Sequence, residues 1–381
     1  MLTPADEFPI HQTPEPIAYA GSDRNFYDRY FFSGYQPDLS SYFAVAFGTY
    51  PALNVVDAHF SVLRGDRQYN LHASRLLDYD RMRLDVGPIS IEVLEPLRRI
   101  RVTVAGEHGT PAEGIAAELE LTGRSFPIEE PRFTRRYGPR LLFDYTRLTQ
   151  NVRWTGWIDV DGAREQLEPG AVGTRDRSWG IRPVGSSDAQ PSAPGLGAQF
   201  YWLWTPTNLA ERSVFFHVNN DADGVPWNLR AALCADGAAA GEVLETDRAR
   251  AGVDFEPGTR YPRAGTVEID PPGEPTLRLT YEPALRFPMR GLGYHHPSWG
   301  HGKYVAPLAV QREDITVSEA DPADPTQMHL QTLCRVRAEQ DGRPDEDGLG
   351  IFESLVFGRY TPYGFTGLVD GFGAPASTSA R

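Results

Sequence analysis

Acidic and histidine side chains stand beside aromatic residues at several places in this 381-residue sequence, and that combination suits acid–base chemistry. In residues 173–182, Asp176 and Trp179 lie among three arginines. If Asp176 points into an apolar interior, burial raises its pKa and the carboxyl group can donate a proton. If it meets Arg182 or another arginine, it stays ionised and only fixes a loop. Asp176 is therefore a candidate catalytic acid, with a structural ion pair as the alternative.

A second candidate acid is Glu353, which is the only carboxylate in the apolar segment 349–358. Alternation along a strand places Glu353 on the same face as Ile351 and Leu355. On an inward face the carboxylate needs a partner or a proton, which makes it a candidate for proton transfer. If the register turns this face to solvent, Glu353 has no such role.

Three of the nine histidines fall in residues 294–304, as His295, His296 and His301. We favour acid–base histidines over metal ligands here, because Pro297 and the nearby glycines deny a helix and the strand pattern His-x-His is absent. The alternative is a turn in which these side chains satisfy backbone groups. We predict no metal site and no cofactor.

Aromatic residues are dense in residues 199–204. A strand would put Trp202 and Trp204 on one face and Tyr201 on the other. A second aromatic run follows, and it contains His217, a further candidate base. Such rings suit either a ligand cavity that stabilises positive charge or the packed core of a β-barrel. The residues that we expect to contact a substrate are Trp179, Tyr201, Trp202, Trp204, Trp299, His301 and Tyr304.

The composition argues against several classes of protein. The chain has 51 acidic and 37 basic residues and a formal charge of −14, so we expect no nucleic-acid partner. No apolar run approaches the ~20 residues of a transmembrane helix. The N-terminal residues lack the basic and apolar regions of a signal peptide, and Cys234 and Cys334 form no CxxC pair. We therefore expect a cytoplasmic protein, and no heptad pattern indicates an oligomeric state.

The sequence predicts an all-β fold. Its 37 glycines and 32 prolines leave little room for helices of ordinary length. Period-two alternation, typical of half-buried strands, recurs along the chain in residues 43–47, 89–93, 100–104 and 277–281. Asp161-Gly162 between two extended runs predicts a hairpin. Neither a GxGxxG turn nor a phosphate-binding loop is present, so nucleotide binding has no support.

We predict two tandem antiparallel β-barrels with few short helices. The expected boundaries are an N-terminal barrel over residues 1–185, a linker over 186–197, a C-terminal barrel over 198–372 and a disordered tail over 373–381. The linker is rich in Pro, Gly, Ser and Ala, although the same composition would suit a long loop inside one domain. The tripeptide Ser-Trp-Gly occurs at 178–180 and again at 298–300, as two related barrels would predict.

Sparse motifs along most of the chain resemble a known family. They are Phe47-Gly48-x-Tyr50-Pro51, Asp176-x-Ser178-Trp179-Gly180-x-Arg182, Trp299-Gly300-His301-Gly302, Gly350-x-Phe352-Glu353 and Gly364-Phe365. With them the sequence resembles the tandem lipocalin-like proteins, a group that includes the carotenoid 1,2-hydratases, the AttH-like proteins and some fungal pericyclases. The resemblance implies two calycin barrels joined by a short linker, with a deep ligand pocket near their interface.

The resemblance also implies a chemistry. Members of the group with known activity act on apolar substrates without a redox cofactor, and the hydratases protonate an alkene with an acidic residue. Asp176 and Trp179 are the positions carried over, although Arg177 inside the motif opposes a protonated Asp176.

We therefore expect a cofactor-independent lyase or isomerase for an isoprenoid-, steroid- or polyketide-like substrate. Its acid would be Asp176 or Glu353, and its base one of His217, His295 and His296. The alternative is a carrier that binds a hydrophobic ligand without turnover.

Overall fold

The computed structural model describes residues 2–10, 23–78, 80–106, 114–138, 140–187 and 199–373. Strands make up 58% and helices 5%, which confirms the prediction of an all-β chain. The helices are single 3₁₀ turns at Pro4–Glu7, Pro51–Leu53, Met289–Leu292, Val317–Glu319 and Thr361–Tyr363. Within the described ranges, no helix has the length and apolar character needed to cross a membrane. The predicted linker and tail lie almost wholly outside these ranges.

The strands are numbered in chain order. Those before residue 188 are β1 (Phe26–Tyr35), β2 (Ser41–Tyr50), β3 (Val55–Arg64), β4 (Arg67–Leu76), β5 (Asp85–Val86), β6 (Ile89–Glu95), β7 (Arg99–Val104), β8 (Ile115–Gly123), β9 (Ile128–Glu129), β10 (Phe133–Tyr137), β11 (Arg140–Val160), β12 (Ala163–Gln166) and β13 (Val172–Ile181). Those after it are β14 (Phe200–Trp204), β15 (Thr207–Asn208), β16 (Arg212–Asn220), β17 (Pro226–Ala235), β18 (Leu244–Thr246), β19 (Ala249–Phe255), β20 (Pro262–Ile269), β21 (Leu277–Pro288), β22 (Leu308–Thr316), β23 (Leu330–Gln340) and β24 (Glu346–Phe357). The four alternating segments singled out in the sequence lie inside β2, β6, β7 and β21.

Residues Met1–Gly195 and Gly291–Thr316 form one compact unit, called unit 1. Its antiparallel sheet has the order β22-β4-β3-β2-β1-β13-β11-β8-β7-β6-β5, with β9, β10 and β12 paired to β11. The sheet curls until β3 and β4 lie beside β5 and β6, so it forms a nearly closed barrel. Such closure leaves few exposed strand edges.

Two tight turns fix the register of neighbouring strands in unit 1. Gly65 has φ +56° in the two-residue turn between β3 and β4. Asp161 and Gly162 both have positive φ in the turn between β11 and β12, which confirms the predicted hairpin. A shift of one residue would exchange the inward and outward faces of the strands, so these turns decide which side chains enter the core.

The core of unit 1 lies on the inward face of its sheet. Trp154 packs edge-on against Phe43, with ring centroids 5.1 Å apart, and against Phe32. Its indole N–H donates to the backbone carbonyl of Ser33 at 2.8 Å. Aliphatic residues of β3, β4, β6, β7 and β8 complete this buried cluster.

Residues Leu196–Arg290 and Val317–Arg381 form unit 2. Its antiparallel sheet has the order β18-β17-β16-β14-β24-β23-β21-β20-β19, and β15 pairs with both β16 and β24. Tyr201 stacks on Tyr360 with a centroid distance of 4.3 Å inside its core. Trp202 and Trp204 lie outside that core cluster, as the alternation of the sequence predicted.

The position of residues 291–316 differs from the sequence-based prediction, which placed them in the second barrel. In the structure they belong to unit 1, because β22 pairs with β4 along its whole length, from Leu308 opposite Arg75 to Thr316 opposite Arg67. Both Ser-Trp-Gly tripeptides therefore lie in unit 1, one in β13 and one in a turn. They do not mark equivalent places in two barrels.

Candidate functional site

Two buried polar groups lie on sheet faces that point away from the hydrophobic cores. In unit 2 the group surrounds Glu353, whose neighbour Phe352 belongs to the core. In unit 1 it surrounds His59 and His72, which alternate with core residues of β3 and β4. Burial of titratable groups on an otherwise outward face requires partners, so we describe each group through its hydrogen bonds.

Glu353 is held by three donors from the residues beside it. His329 Nε2 lies 2.8 Å and Trp202 Nε1 2.9 Å from Oε1, and Gln331 Nε2 donates to Oε2 at 2.6 Å. Gln331 lies directly opposite Glu353 in the β23–β24 pair. Burial alone raises the pKa of Glu353, but the hydrogen bonds from His329, Gln331 and Trp202 outweigh it and hold the pKa below its ordinary value.

The lowered pKa favours the ionised form, so of the two requirements that the sequence left open, a partner or a proton, the structure supplies the partner. Glu353 can orient His329 and stabilise a positive charge on that ring. Because His329 Nε2 faces the carboxylate, the lone pair of the neutral imidazole lies on Nδ1. The carboxylate–imidazole pair can accept a proton and return it, as a general base followed by a general acid does.

His217 and Trp204 extend the group around Glu353. Trp204 lies opposite both Glu353 and His217 in the paired strands. The His217 ring lies 6.0 Å from the Trp202 ring, and its Nε2 is 3.2 Å from Asn228 Oδ1. An amide oxygen only accepts, so His217 Nε2 carries a proton. Unit 2 thus brings Glu353, His217, Trp202 and Trp204 together with His329.

The polar group of unit 1 begins with two histidines in direct contact. His59 and His72 are opposite each other in the β3–β4 hairpin, and their Nδ1 atoms are 2.9 Å apart. One Nδ1 must donate and the other accept, so at least one of them carries a proton. Burial, together with the charges of His72 and Arg29, lowers the pKa of His59 well below 6.5. His59 is therefore neutral at neutral pH.

The turn 294–302 supplies the rest of this histidine cluster. His296 Nδ1 accepts the backbone N–H groups of Ser298 (3.1 Å) and Trp299 (2.8 Å), and its Nε2 is 3.2 Å from Glu313 Oε2. The Trp299 ring stacks on His72. The sequence left open whether histidines here act as acid–base groups or satisfy a turn, and His296 does satisfy the turn.

His301 has both ring nitrogens engaged. Its Nε2 donates to the carbonyl of Leu292 at 2.8 Å, and its Nδ1 is 3.1 Å from Arg182 Nη2. Burial, with the charges of Arg29 and Arg182, lowers its pKa well below 6.5. The ring therefore stays neutral and joins residues 292–302 to the end of β13.

Asp57 Oδ1 lies 3.8 Å from His59 Nε2, and the residue is buried. Its carboxyl oxygens accept the Tyr50 hydroxyl at 3.1 Å and the Gly302 N–H at 2.6 Å. Burial raises the pKa of Asp57 to about 7, against the opposing influence of Gly302, Arg29 and Tyr50. This carboxyl group can hold a proton up to neutral pH.

The raised pKa of Asp57 predicts a pH-dependent stability. Between its unfolded value of 3.8 and about 7, the folded state holds a proton that the unfolded chain has released. Raising the pH through this window therefore favours unfolding. We expect Asp57→Asn to lose less stability than the wild type between pH 4 and pH 7, measured as urea unfolding midpoints. Asp66→Asn, in the exposed β3–β4 turn, is the control, and parallel curves for wild type and Asp57→Asn would contradict the prediction.

His72, His296 and Glu313 have ligand atoms within 4.8 Å of one another, a spacing that a metal ion could bridge. The hydrogen bonds of His296 do not fit a metal ligand. Its Nδ1 accepts two backbone N–H groups, so the proton of the neutral ring is on Nε2, the atom that would have to bind the metal. The contact with Glu313 is therefore a hydrogen bond, and we derive no metal chemistry from it.

The remaining sequence candidates belong to unit 1. Asp176 and Trp179 are half-buried on β13, and the buried arginines beside Asp176 pair with other carboxylates. His295 and Tyr304 are exposed on the surface of unit 1. The hydrogen bonds that hold Glu353 and the one that joins His59 to His72 come from other side chains.

Two hollows on the described residues are lined mainly by polar and charged side chains. One hollow in unit 1 is lined by polar and charged residues, among them Arg64 and Glu165. One in unit 2 is lined mostly by charged and polar residues, among them Glu282 and Arg337. Neither includes a residue of the two buried groups. The rings inside both cores pack against one another instead.

Sequence reasoning missed His329, His59, His72 and Asp57. His59 and His72 carry a usable signal, because a two-residue turn at Gly65-Asp66 pairs positions 59 and 72. His329 stands two residues before Gln331, which pairs with Glu353, so hairpin register would also have linked them. Asp57 has no such local signal, since its partner Gly302 is distant in sequence.

Several solved structures are similar to most of this chain, although their sequence identity to it is low. CghA, determined with Sch210972, has a TM-score of 0.52 and 12% identity over 91% of this chain and 92% of that chain. A putative AttH from Nitrosomonas europaea has a TM-score of 0.48 and 15% identity over 92% and 99%. Kievitone hydratase from Nectria haematococca has a TM-score of 0.43 and 10% identity over 86% and 88%. The similarity to CghA confirms, for the fold, the resemblance read from the sequence motifs.

A sequence family accounts for almost the whole chain. No curated protein matches the sequence. The model of a family of unknown function, DUF8625, matches residues 2–366, a range that covers most of both units and includes both buried polar groups. The chain belongs to the family DUF8625.

Proposed function

We propose that the protein is a cofactor-independent lyase or isomerase that moves a proton on a small hydrophobic substrate. The observation that carries this proposal is the buried hydrogen bond of 2.8 Å between Glu353 and His329. Buried carboxylate–imidazole pairs that are not needed to balance charge elsewhere are frequent at sites of proton transfer. The isoprenoid-, steroid- or polyketide-like nature of the substrate is part of this proposal.

His329 is the proton-transferring group. Its Nδ1 takes a proton from a carbon or hydroxyl group of the substrate, and the ring becomes an imidazolium whose Nε2–H stays bonded to Glu353. In an isomerase, His329 returns that proton to another carbon of the same molecule. In a hydratase, a protonated His329 adds its proton to an alkene, and water adds to the resulting cation and gives a proton back to the ring.

The aromatic side chains support a reaction that develops positive charge. Trp202 donates its N–H to Glu353, and Trp204 lies opposite the same carboxylate in the strand pair. The face of an indole ring attracts a cation, so these rings suit a cationic transition state as well as an apolar substrate. CghA, a protein of this fold, has been determined with the compound Sch210972. We take a small organic molecule as the substrate class here as well.

The test is a comparison of variants on an apolar extract of the source organism, incubated in D₂O. We expect the wild type to convert at least one compound, either into an isomer that contains deuterium or into a product that differs by one water. His329→Gln and Glu353→Gln should slow this conversion by about a hundredfold or more, the usual loss when a general acid–base group is removed. Mass spectrometry of the extract measures the mass change of the product and the rate at which it forms.

Glu346→Gln is the matched control, because Glu346 lies on the same strand as Glu353 but pairs with Arg212 at a half-buried position. It should convert the compound at the wild-type rate. Retention of a hydrophobic ligand with no conversion under any condition would favour the carrier instead. Equal conversion by wild type and Glu353→Gln would show that the pair around Glu353 does not catalyse the reaction.

A further inference from the structure

The N-terminal turn Pro4–Glu7 places a carboxylate inside unit 1. Glu7 and Arg175 are both fully buried, and Arg175 Nη1 lies 2.6 Å from Oε1 and 2.7 Å from Oε2 of Glu7. The backbone N–H of Leu97 donates to Oε2 at 2.7 Å. A carboxylate with two oxygens engaged by a guanidinium and an amide is bound as a ligand would be.

A second arginine lies two residues along the same strand. Arg177 is fully buried, forms an ion pair with Asp28, and lies over the Tyr30 ring with 3.9 Å from its Cζ to the centroid. The Tyr30 hydroxyl donates to the backbone carbonyl of Glu7. Alternation along β13 puts Arg175 and Arg177 on one face, so both guanidinium groups point to the same region.

The two guanidinium groups have unused donors. Arg175 Nη2 and Arg177 Nε and Nη2 are buried and meet no acceptor among the residues that the structure describes. An arginine does not lose its proton in a protein, and a buried N–H without an acceptor is unfavourable. These N–H groups can therefore donate to acceptor oxygens of a carboxylate held in this region.

Arg175 also has a partner other than Glu7. Gln150 Oε1 accepts Arg175 Nε at 2.6 Å, and Gln150 Nε2 donates to the carbonyl of Leu97 at 3.0 Å. Arg175, Gln150 and Leu97 thus form a fixed receptor on three different segments of unit 1. A preformed receptor binds its ligand without a large cost in ordering.

We propose that Arg175 and Arg177, with the Leu97 N–H, form a carboxylate-binding site at which Glu7 acts as an internal ligand. A free monocarboxylate binds there when the Glu7 side chain is removed or withdraws. The charges favour a monoanion, because Arg175 and Arg177 balance Glu7 and Asp28, and a dianion would leave an uncompensated negative charge. This site is independent of Glu353 and His329, which lie in unit 2.

The test is chemical rescue of Glu7→Ala, measured as the thermal unfolding midpoint. The substitution leaves Arg175 buried without its carboxylate, and we expect the midpoint to fall by about 5 °C or more. Acetate fits the atoms removed. Sodium acetate at about 50 mM should then restore at least half of the loss relative to sodium chloride at the same ionic strength, because a ligand that binds only the folded state stabilises it.

Three comparisons make the result specific. Wild type and Asp6→Ala, which changes a neighbouring carboxylate outside the site, should show no difference between acetate and chloride. The double variant Glu7→Ala/Arg175→Gln should also show none, because the receptor is gone. If Glu7→Ala does not fold on expression, its refolding yield from urea is compared in the two salts. Equal effects of acetate and chloride on Glu7→Ala, in either measurement, would overturn the proposal.

Discussion

Replacement of Trp154 by alanine is expected to lower the free energy of unfolding by about 3–5 kcal/mol, the usual range for removing a large aromatic side chain from a core. Trp154 is 2% exposed and packs edge-on against Phe43 and Phe32. Its loss also leaves the Ser33 carbonyl without the indole N–H, which adds to the cost. A loss of this size is a large part of the stability of a typical domain, so we expect unit 1 to unfold first.

The measurement is urea denaturation followed by tryptophan fluorescence and circular dichroism. Trp157→Ala is a matched control, since Trp157 lies on the same strand but is only half-buried and packs under the Arg164 guanidinium. The control should cost about 1 kcal/mol. Similar losses for the two variants would mean that the Trp154 face of β11 is not the buried one.

The second large effect is expected at Arg260 in unit 2. Its guanidinium donates to the backbone carbonyls of Val356, Gly358, Gly367 and Asp370 and pairs with the Asp370 carboxylate at 2.6 Å. The Arg260 side chain is 1% exposed and lies 4.3 Å above the Phe365 ring. We expect Arg260→Ala to cost about 3 kcal/mol or more, because several buried acceptors lose their donor at once.

Arg263→Ala is the control for Arg260→Ala. Arg263 lies in β20 and pairs with Asp254 at the surface. An ion pair there contributes less than about 1 kcal/mol. Limited proteolysis adds a second readout, since residues 356–370 should become cleavable in Arg260→Ala. Equal midpoints for the two arginine variants would show that Arg260 does not hold this C-terminal segment.

The histidines of the two buried polar groups differ in how their ring nitrogens are hydrogen-bonded. In unit 2, the Nε2 atom of His329 is bonded to Glu353, and the proton transfer that we propose takes place at Nδ1 of the same ring. In unit 1, His296 and His301 each use both nitrogens to join the turn 294–302 to the barrel. The histidine-rich segment 294–304, which the sequence singles out, lies in unit 1. The hydrogen bonds instead favour His329 of unit 2 as the residue that transfers a proton.

Local patterns predicted much of the fold. Period-two alternation identified β2, β6, β7 and β21 because half-buried strands select apolar residues on one face. The same rule separated Trp202 and Trp204 from Tyr201, and only Tyr201 belongs to the core. Asp161-Gly162 predicted its hairpin because positive φ is demanded at that turn.

Long-range pairing could not be obtained in the same way. The segment 291–316 follows the strands of unit 2 in the chain, yet β22 pairs with β4 of unit 1. Strand alternation states which face a residue takes but not which strand lies beside it. For this reason the sequence does not show that residues 291–316, with the second Ser-Trp-Gly tripeptide, belong to unit 1.

The protonation of the candidate acids also depended on distant partners. In the sequence, Glu353 is a carboxylate in an apolar strand, which predicts that it needs a partner or a proton. The hydrogen bonds from His329 and Trp202 supply the partner and favour the ionised carboxylate. Asp57 received no partner strong enough to offset its burial, and its pKa rises to about 7.

By itself, the sequence determined that this chain folds as β-sheet, where several strands and turns fall, and which side chains share a strand face. Tertiary structure alone decided which faces are buried, which strands adjoin, and whether each titratable group meets a donor or a carboxylate. The physical reason is that backbone alternation acts over neighbouring residues, whereas desolvation and hydrogen bonding depend on atoms brought together from remote parts of the chain.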